Sequence, residues 1–171
     1  MKTNTSTEQQ AIELWSKIIQ KKKELKQLKK RYNDVFYAIV ESWKEDVKNQ
    51  FPQLEPCDIG EYVGVNVTLK GIVYNIFISE DKQKLYCMFS LDRKDKANYE
   101  LNIREVMDKT DFDKLKQVFN CYLNENKAVA YEHSQGMYVK FKMEQLNAAY
   151  EFFLNIVRAF FNNSQINPNY L

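Results

Sequence analysis

The feature that most constrains the fold is a long N-terminal stretch without a helix breaker. Residues 7–49 contain neither glycine nor proline, and good helix formers dominate them. Apolar residues recur there at alternating spacings of three and four, and Lys21 occupies the one position that breaks the pattern. The apolar positions are Leu14, Ile18, Leu25, Leu28, Tyr32, Val35 and Ile39. A stripe of this kind over about four heptads predicts a long helix that packs against a helical partner along one side.

Both ends of this helix carry recognisable signals. The segment TSTEQQ places Ser or Thr three residues before Glu or Gln, which is the capping-box pattern of a helix start. Past Tyr32 the apolar face broadens, which favours packing on a sheet. The prolines and glycine of FPQLEPCDIG predict the end of the helical stretch, which is either one long helix or a bent pair of helices. The predicted organisation is a basic helical extension over residues 1–30 that can form a coiled coil, a core domain over 31–162 and a polar tail over 163–171.

The next segment has the pattern of an antiparallel meander. Residues 63–69 alternate β-branched or apolar side chains with more polar ones, which is typical of a strand. Lys70 and Gly71 predict a two-residue hairpin turn, because glycine adopts positive φ without strain. Residues 72–78 continue the alternation on a return strand, and SEDKQK predicts a second turn before a third strand at 85–91.

Helices and a second hairpin follow. A short helix is expected at residues 101–107, and TDFD caps a clearer helix whose Phe112, Leu115, Phe119 and Tyr122 share a face. Residues 128–133 and 137–142 predict a hairpin through SQG, and 146–161 a very apolar closing helix. The predicted fold class is α+β, with an antiparallel sheet of about five strands in the order α-βββ-α-ββ-α. The long N-terminal helix precedes it.

Charge and cysteine content bear on the class of protein. The net charge is +2, and residues 1–55 hold eleven Lys and Arg against eight Asp and Glu, so the positive excess is local. Three widely spaced cysteines (Cys57, Cys87 and Cys121) suggest no disulfide framework and favour a reducing compartment. The start MKTNTSTEQQ has no apolar core of a signal peptide, and no apolar run is long enough to span a bilayer. These features predict a cytoplasmic location.

Catalysis is the less favoured class. One histidine and three isolated cysteines predict no metal site, no catalytic residue and no cofactor, and Cys87 and Cys121 are expected to be small core residues. Asp58 followed by Glu80, Asp81 and Lys82 can be fitted to a PD-(D/E)xK nuclease pattern, in which acids hold a divalent cation. The Glu80–Lys82 segment falls where a hairpin must turn, however, and turns gather such residues for conformational reasons.

The run QKKKELKQLKKRY raises a second possibility. Lys22, Lys26, Lys29, Lys30 and Arg31 present several cations on the N-terminal helix, an arrangement compatible with binding phosphates of nucleic acid. Aromatic residues for stacking on bases are absent from the run until Tyr32. Lysines beside an apolar stripe are also the ordinary way to solvate a coiled coil. We favour the solvated helix and keep nucleic acid as the alternative.

The tyrosines suggest a further surface. Tyr62 and Tyr74 lie on predicted strands. Tyr86 and Tyr138 also lie on predicted strands, each on the side of its strand opposite the apolar residues. Such rings are common in protein interfaces when a sheet face is open, and they belong to the core when helices cover both faces. Both alternatives remain open from sequence.

The order of elements resembles a known fold. The segments EYVGVNVTLKGIVYNIFISEDKQKLYCMFSLD, DFDKLKQVFNCYL and AVAYEHSQGMYVKFKM, within residues 31–162, follow the α-β-β-β-α-β-β-α order of type III secretion chaperones and YbjN-like domains. The resemblance implies a homodimer that captures an extended segment of a partner protein without catalysis. No family motif is matched residue by residue, and the basic extension and the length of segment 92–110 depart from the pattern.

These inferences predict a non-enzymatic protein-interaction module, adaptor or chaperone-like and homodimeric, that binds a protein partner and no membrane. Leu14, Ile18, Leu25 and Leu28 would form its helical seam, with Tyr62 and Tyr74 at a partner surface. The alternative is a nucleic-acid-associated protein that uses the basic helix. A nuclease ranks third.

Overall fold

The chain divides into two compact units. A computed structural model describes residues 4–57, 62–126 and 130–161. One unit is Met1–Val40 and the other Glu41–Leu171. Helix α1 (Asn4–Gln50) contributes to both. Within the described ranges, no helix is long and apolar enough to cross a membrane.

The N-terminal stretch forms one helix, which confirms the first of the two predicted possibilities. Helix α1 is 47 residues long, and the absence of glycine and proline accounts for its continuity. In the unit Met1–Val40 the apolar residues of the predicted stripe are largely exposed. The stripe is therefore a surface of this unit.

The second unit has the predicted α+β architecture. Its further elements are β1 (Val63–Leu69), β2 (Ile72–Asp81), β3 (Lys84–Leu91), α2 (Lys96–Tyr99), α3 (Ile103–Val106), α4 (Lys109–Asn126), β4 (Ala130–His133), β5 (Gly136–Lys142), a 3-10 turn (Met143–Gln145) and α5 (Leu146–Phe161). The order of the predicted elements is confirmed. Helix α3 lies where a short helix was predicted, whereas α2 was not anticipated.

The five strands form one antiparallel sheet in the order β1-β2-β3-β5-β4. At the first hairpin Lys70 and Gly71 have φ of 50° and 83°, as the predicted two-residue turn requires. At the second, Lys82 and Gln83 have φ of 49° and 65°. Positive φ at both central residues is the mark of a type I′ turn, whose twist matches that of the flanking strands.

One face of the sheet carries the core. Leu85, Cys87 and Phe89 on β3 are fully buried, because alternate residues of a strand point to the same face. Helix α5 packs on this face of the sheet and contacts mainly strands β2 and β3. Its buried residues are Ala149, Tyr150, Phe152, Phe153, Leu154, Ile156, Val157 and Phe160. This apolar face explains why the closing helix was readable from sequence.

The end of α1 is fixed to α5 by an aromatic pair and a charged hydrogen bond. The rings of Trp43 and Tyr150 stack with centroids 4.8 Å apart. The Tyr150 hydroxyl donates to Oδ2 of Asp46 at 2.6 Å. This bond, followed by one from Gln50, lowers the pKa of Asp46, while burial and then the same bond raise the pKa of Tyr150.

Replacing Tyr150 with Phe should lower the free energy of unfolding by about 1 kcal/mol at neutral pH, because its hydroxyl can no longer donate to ionised Asp46 or, at 3.3 Å, to the carbonyl oxygen of Trp43. The folded-state pKa of Asp46 is below its unfolded value, so this stabilisation is present above the unfolded value and disappears as pH falls through the folded one. Denaturant melts of both proteins from neutral to strongly acidic pH should therefore converge. A difference that is constant with pH would contradict the assignment to ionised Asp46.

Candidate functional site

The apolar stripe of α1 is the most extensive exposed apolar feature in the first unit. Leu14 and Leu28 are each 60% exposed, and Leu25 is 52% exposed. Ile18 is 44% exposed and continues the same row. Tyr32 and Val35 are exposed as well and extend the stripe toward the end of the unit. The four predicted seam residues thus lie together on one side of the helix, as their spacing requires.

Lys21 occupies one position within this stripe. Its ammonium lies 2.7 Å from Oε2 of Glu24, one turn further along the helix. The hydrogen bond from Lys21 is the main reason that the pKa of Glu24 is lowered, and a bond from Gln20 adds to it. The stripe is therefore apolar except for one charge that is held by a neighbour on the same helix.

Basic residues flank the stripe, with Lys22, Lys26, Lys29 and Lys30 on one side and Arg31 on the other, and we call these five residues the basic face. Lys22, Lys26, Lys29, Lys30 and Arg31 are all exposed, and none of them forms an ion pair with a residue the structure describes. The Lys22 ammonium lies 5.9 Å from the centroid of the Trp15 ring. Cations of this face are thus available to an external anion, although exposure alone does not distinguish that role from solvation.

The two tyrosines predicted as partner contacts are not on an open surface. Tyr62 is 5% exposed, and its hydroxyl donates to Oε2 of Glu80 at 2.6 Å. Tyr74 is 1% exposed, with its ring 5.3 Å from that of Phe89. Burial, and next the charge of Asp111, raises the pKa of Tyr74 to about 12. Both tyrosines are therefore core residues, and they do not form a binding surface.

The residues considered for catalysis are dispersed. Glu80 accepts the bond from Tyr62, Lys82 lies in the β2–β3 turn, and Asp58 lies outside the described residues. Cys87 is buried as predicted, and burial raises the pKa of its thiol. Cys121 is exposed, so its prediction as a core residue was wrong. In the described ranges, no three His, Cys, Asp or Glu side chains are grouped so as to hold a metal ion.

A cluster of aromatic rings lies on the sheet face opposite the core. Tyr138 of β5 pairs with Tyr131 of β4 and lies beside Tyr86 of β3, and Lys140 pairs with Tyr86. We call these four residues the tyrosine platform. Sequence alternation placed Tyr86 and Tyr138 on this face, whereas Tyr131 and Lys140 were missed. Only the register between β4 and β5 and the adjacency of β3 to β5 bring them together.

Comparisons of this chain with protein-family models, with curated proteins and with solved structures give no match. The resemblance to secretion chaperones therefore remains a resemblance of element order. Two surfaces formed by described residues, the stripe of α1 and the tyrosine platform, are the candidate binding sites.

Proposed function

We propose that the protein is a non-enzymatic interaction module, of an adaptor or chaperone-like kind, that self-associates through the apolar stripe of α1. The observation that carries the proposal is the exposure of Leu14, Leu25 and Leu28, each by more than half. Isolated helices are only marginally stable in water, and most helices in proteins depend on packing of their apolar face. A helix whose apolar face is exposed in a single chain can bury that face by packing against a second helix.

The periodicity specifies the geometry of that contact. Apolar residues that repeat every 3.5 positions stay on one side of two helices that supercoil left-handedly. Burying each aliphatic side chain stabilises by about 1.5–3 kcal/mol, so the stripes of two chains contribute on the order of 10 kcal/mol before the entropy of association. That gross contribution is large enough to sustain a dimer.

A second copy of the chain is the partner that fits with the fewest assumptions. Symmetric dimers are the commonest oligomers, and a second copy always offers a stripe of the same length and spacing. Charge contributes little: in a parallel pair Glu24 would face the partner's Lys29 favourably, whereas Lys17 would face the partner's Lys22 unfavourably. Lys21 lowers the stability of the seam and limits the registers that it permits.

Replacing both Leu25 and Leu28 with Asp should convert a dimer into a single chain. Two carboxylates in the middle of the seam would have to be desolvated against the partner, which costs more than the remaining stripe contributes. Light scattering coupled to size exclusion would show the mass of a dimer for the native protein and that of one chain for the variant. Far-ultraviolet circular dichroism would show that the α+β unit is still folded.

A matched control is Ser16→Asp with Gln27→Asp. Both residues are exposed, lie on α1 away from the stripe, and add the same charge. This variant should keep the dimer mass. A native protein with the mass of one chain, or a seam variant whose mass equals the native value, would refute self-association through the stripe.

A second candidate function is association with nucleic acid through the basic face of α1. The observation that favours it is that Lys22, Lys26, Lys29, Lys30 and Arg31 have no ion-pair partner among the described residues. Phosphates bound at such a face release counterions, so affinity falls steeply with salt. Lys22 and Lys29 directly flank the stripe, so a dimer through the stripe and a nucleic acid bound at the basic face would share these two residues.

A further inference from the structure

We infer that the tyrosine platform binds single-stranded nucleic acid, with bases stacked on its rings and phosphates held by its lysines. The rings form a continuous set. The rings of Tyr131 and Tyr138 stack on each other, with centroids 5.1 Å apart and planes 13° from parallel, so a base would stack on a ring face outside this pair. The ring of Tyr86 lies 5.7 Å from that of Tyr138. Aromatic side chains on a sheet face are a common means of stacking unpaired bases, about two or three per sheet.

The platform also carries positive charge at its centre. The Lys140 ammonium lies 4.3 Å from the centroid of Tyr131 and 5.7 Å from those of Tyr86 and Tyr138. These contacts hold the ammonium over the rings as cation–π pairs. It forms no ion pair with a described residue, so it is available to an incoming phosphate.

Two further lysines extend the charge along the same face. Lys84 of β3 and Lys142 of β5 pair directly across the strands, two residues from Tyr86 and Lys140, and both are exposed. Residues two apart on a strand share a face. Asp81 pairs with Lys84 and offsets part of that charge. The face thus presents rings at its middle and cations toward one end, so a strand lying across it would meet rings with its bases and ammonium groups with its phosphates.

The sheet supports these rings rigidly. On the opposite side of β3 and β5, Leu85, Cys87 and Val139 are fully buried in the core. Tyr86 and Tyr138 are half-buried, partly because the rings cover one another, and Tyr131 on the edge strand is 39% exposed. Rings held in place by packing lose little conformational entropy when a base stacks on them.

Single-stranded nucleic acid fits this face better than a protein surface does. Tyrosines are common in protein interfaces, but lysine is depleted from their cores, and a flat partner would have to desolvate the ammonium of Lys140 at the centre of the contact. A duplex offers phosphates but keeps its base faces stacked inside. Only an unpaired strand supplies base faces for the tyrosines and phosphates for the lysines.

The test uses the full chain and fluorescence polarisation of a labelled oligothymidylate and a labelled oligouridylate at low salt. Tyr131→Ala and Tyr138→Ala should each weaken binding by roughly tenfold or more, since stacking on one aromatic ring contributes that much per base. Tyr131→Phe and Tyr138→Phe keep the rings and should bind as the native protein does. Thermal melts establish that each variant is folded.

Lys140→Gln tests the phosphate contact without removing a ring. The slope of log affinity against log salt should become shallower by about 0.7, the value for one phosphate contact on a single strand. A matched variant in which Lys22, Lys26, Lys29, Lys30 and Arg31 are replaced with Gln separates this site from the basic face of α1. In that variant the dependence on Tyr131 should persist.

Four outcomes would overturn the inference. They are no saturable binding at low salt, tighter binding of duplex than of single strand, equal affinity of the native protein and the alanine variants, and loss of all binding in the α1 variant alone. If Tyr131→Ala instead changed the mass in light scattering, the platform would be a protein contact. The inference does not depend on the stripe, because Leu25 and Leu28 lie in the unit Met1–Val40 and the platform in the unit Glu41–Leu171, so Leu25→Asp with Leu28→Asp should still bind the oligonucleotides.

Discussion

Replacing Gly136 with Ala should lower the free energy of unfolding of the α+β unit by about 3 kcal/mol or more, because backbone atoms occupy the space of the added carbon. A Cβ at this position would lie 2.0 Å from the carbonyl oxygen of Phe89 and 2.8 Å from Cα of Ser90. These are main-chain atoms of β3, which cannot move without disturbing its pairing with β5. Chemical denaturation monitored by tryptophan fluorescence measures the change.

The control for this substitution is Gly71→Asn. Gly71 has a φ of 83°, and a Cβ there would meet no atom within 4 Å. Asn tolerates positive φ, so the variant should lose well under about 1 kcal/mol. Equal destabilisation by the two substitutions would show that the loss of glycine flexibility, and not the close approach of β3, determines the effect at Gly136.

The hairpins show how far local chemistry predicts this fold. Gly71 in a two-residue gap between alternating strands was sufficient to place the first turn. The second turn was predicted from its polar residues, but the positive φ of Lys82 and Gln83 was not, since neither residue favours it. Helix α2 was missed because it is only four residues long, too short to show an apolar periodicity. Its start is fixed by a local hydrogen bond, in which the Asp95 side chain accepts from the backbone N–H of Asn98.

The errors about single residues concern the face of the strand or helix on which a side chain lies. Tyr74 belongs to the same alternating row as Ile76 and Ile78, which are fully buried, so its row faces the core. Cys121 follows Phe119 by two positions and precedes Tyr122, which places it off the buried stripe of α4. Tyr131 and Lys140 could not be grouped from sequence, because β4 and β3 meet only through β5.

The two surfaces differ in how the sequence encodes them. The α1 stripe depends on spacing along one helix, so a heptad count was enough to locate Leu14, Ile18, Leu25 and Leu28. The tyrosine platform depends on three strands that are distant in sequence. The stripe belongs to the unit Met1–Val40 and the platform to the unit Glu41–Leu171, so each surface can be mutated by itself and the two proposals can be tested separately.

Replacing Phe152 with Ala should have an equally large effect on stability, about 3–5 kcal/mol, because it leaves a cavity among packed rings. Phe152 of α5 is 1% exposed. Its ring centroid lies 5.1 Å from that of Phe119, 4.4 Å from that of Tyr122 and 6.0 Å from that of Phe141. These partners belong to α4 and β5, so one side chain joins three elements of the unit.

Two control variants separate burial from loss of an aromatic ring. Phe152→Leu keeps a large apolar side chain and should cost about 1 kcal/mol. Ile12→Ala, on α1 but off the stripe, should change the unfolding of the α+β unit by less than about 0.5 kcal/mol, because Ile12 is 60% exposed. If Phe152→Ala were as mild as Ile12→Ala, the cluster of Phe119, Tyr122 and Phe141 would not be what fixes α5 to α4 and to the sheet beneath the tyrosine platform.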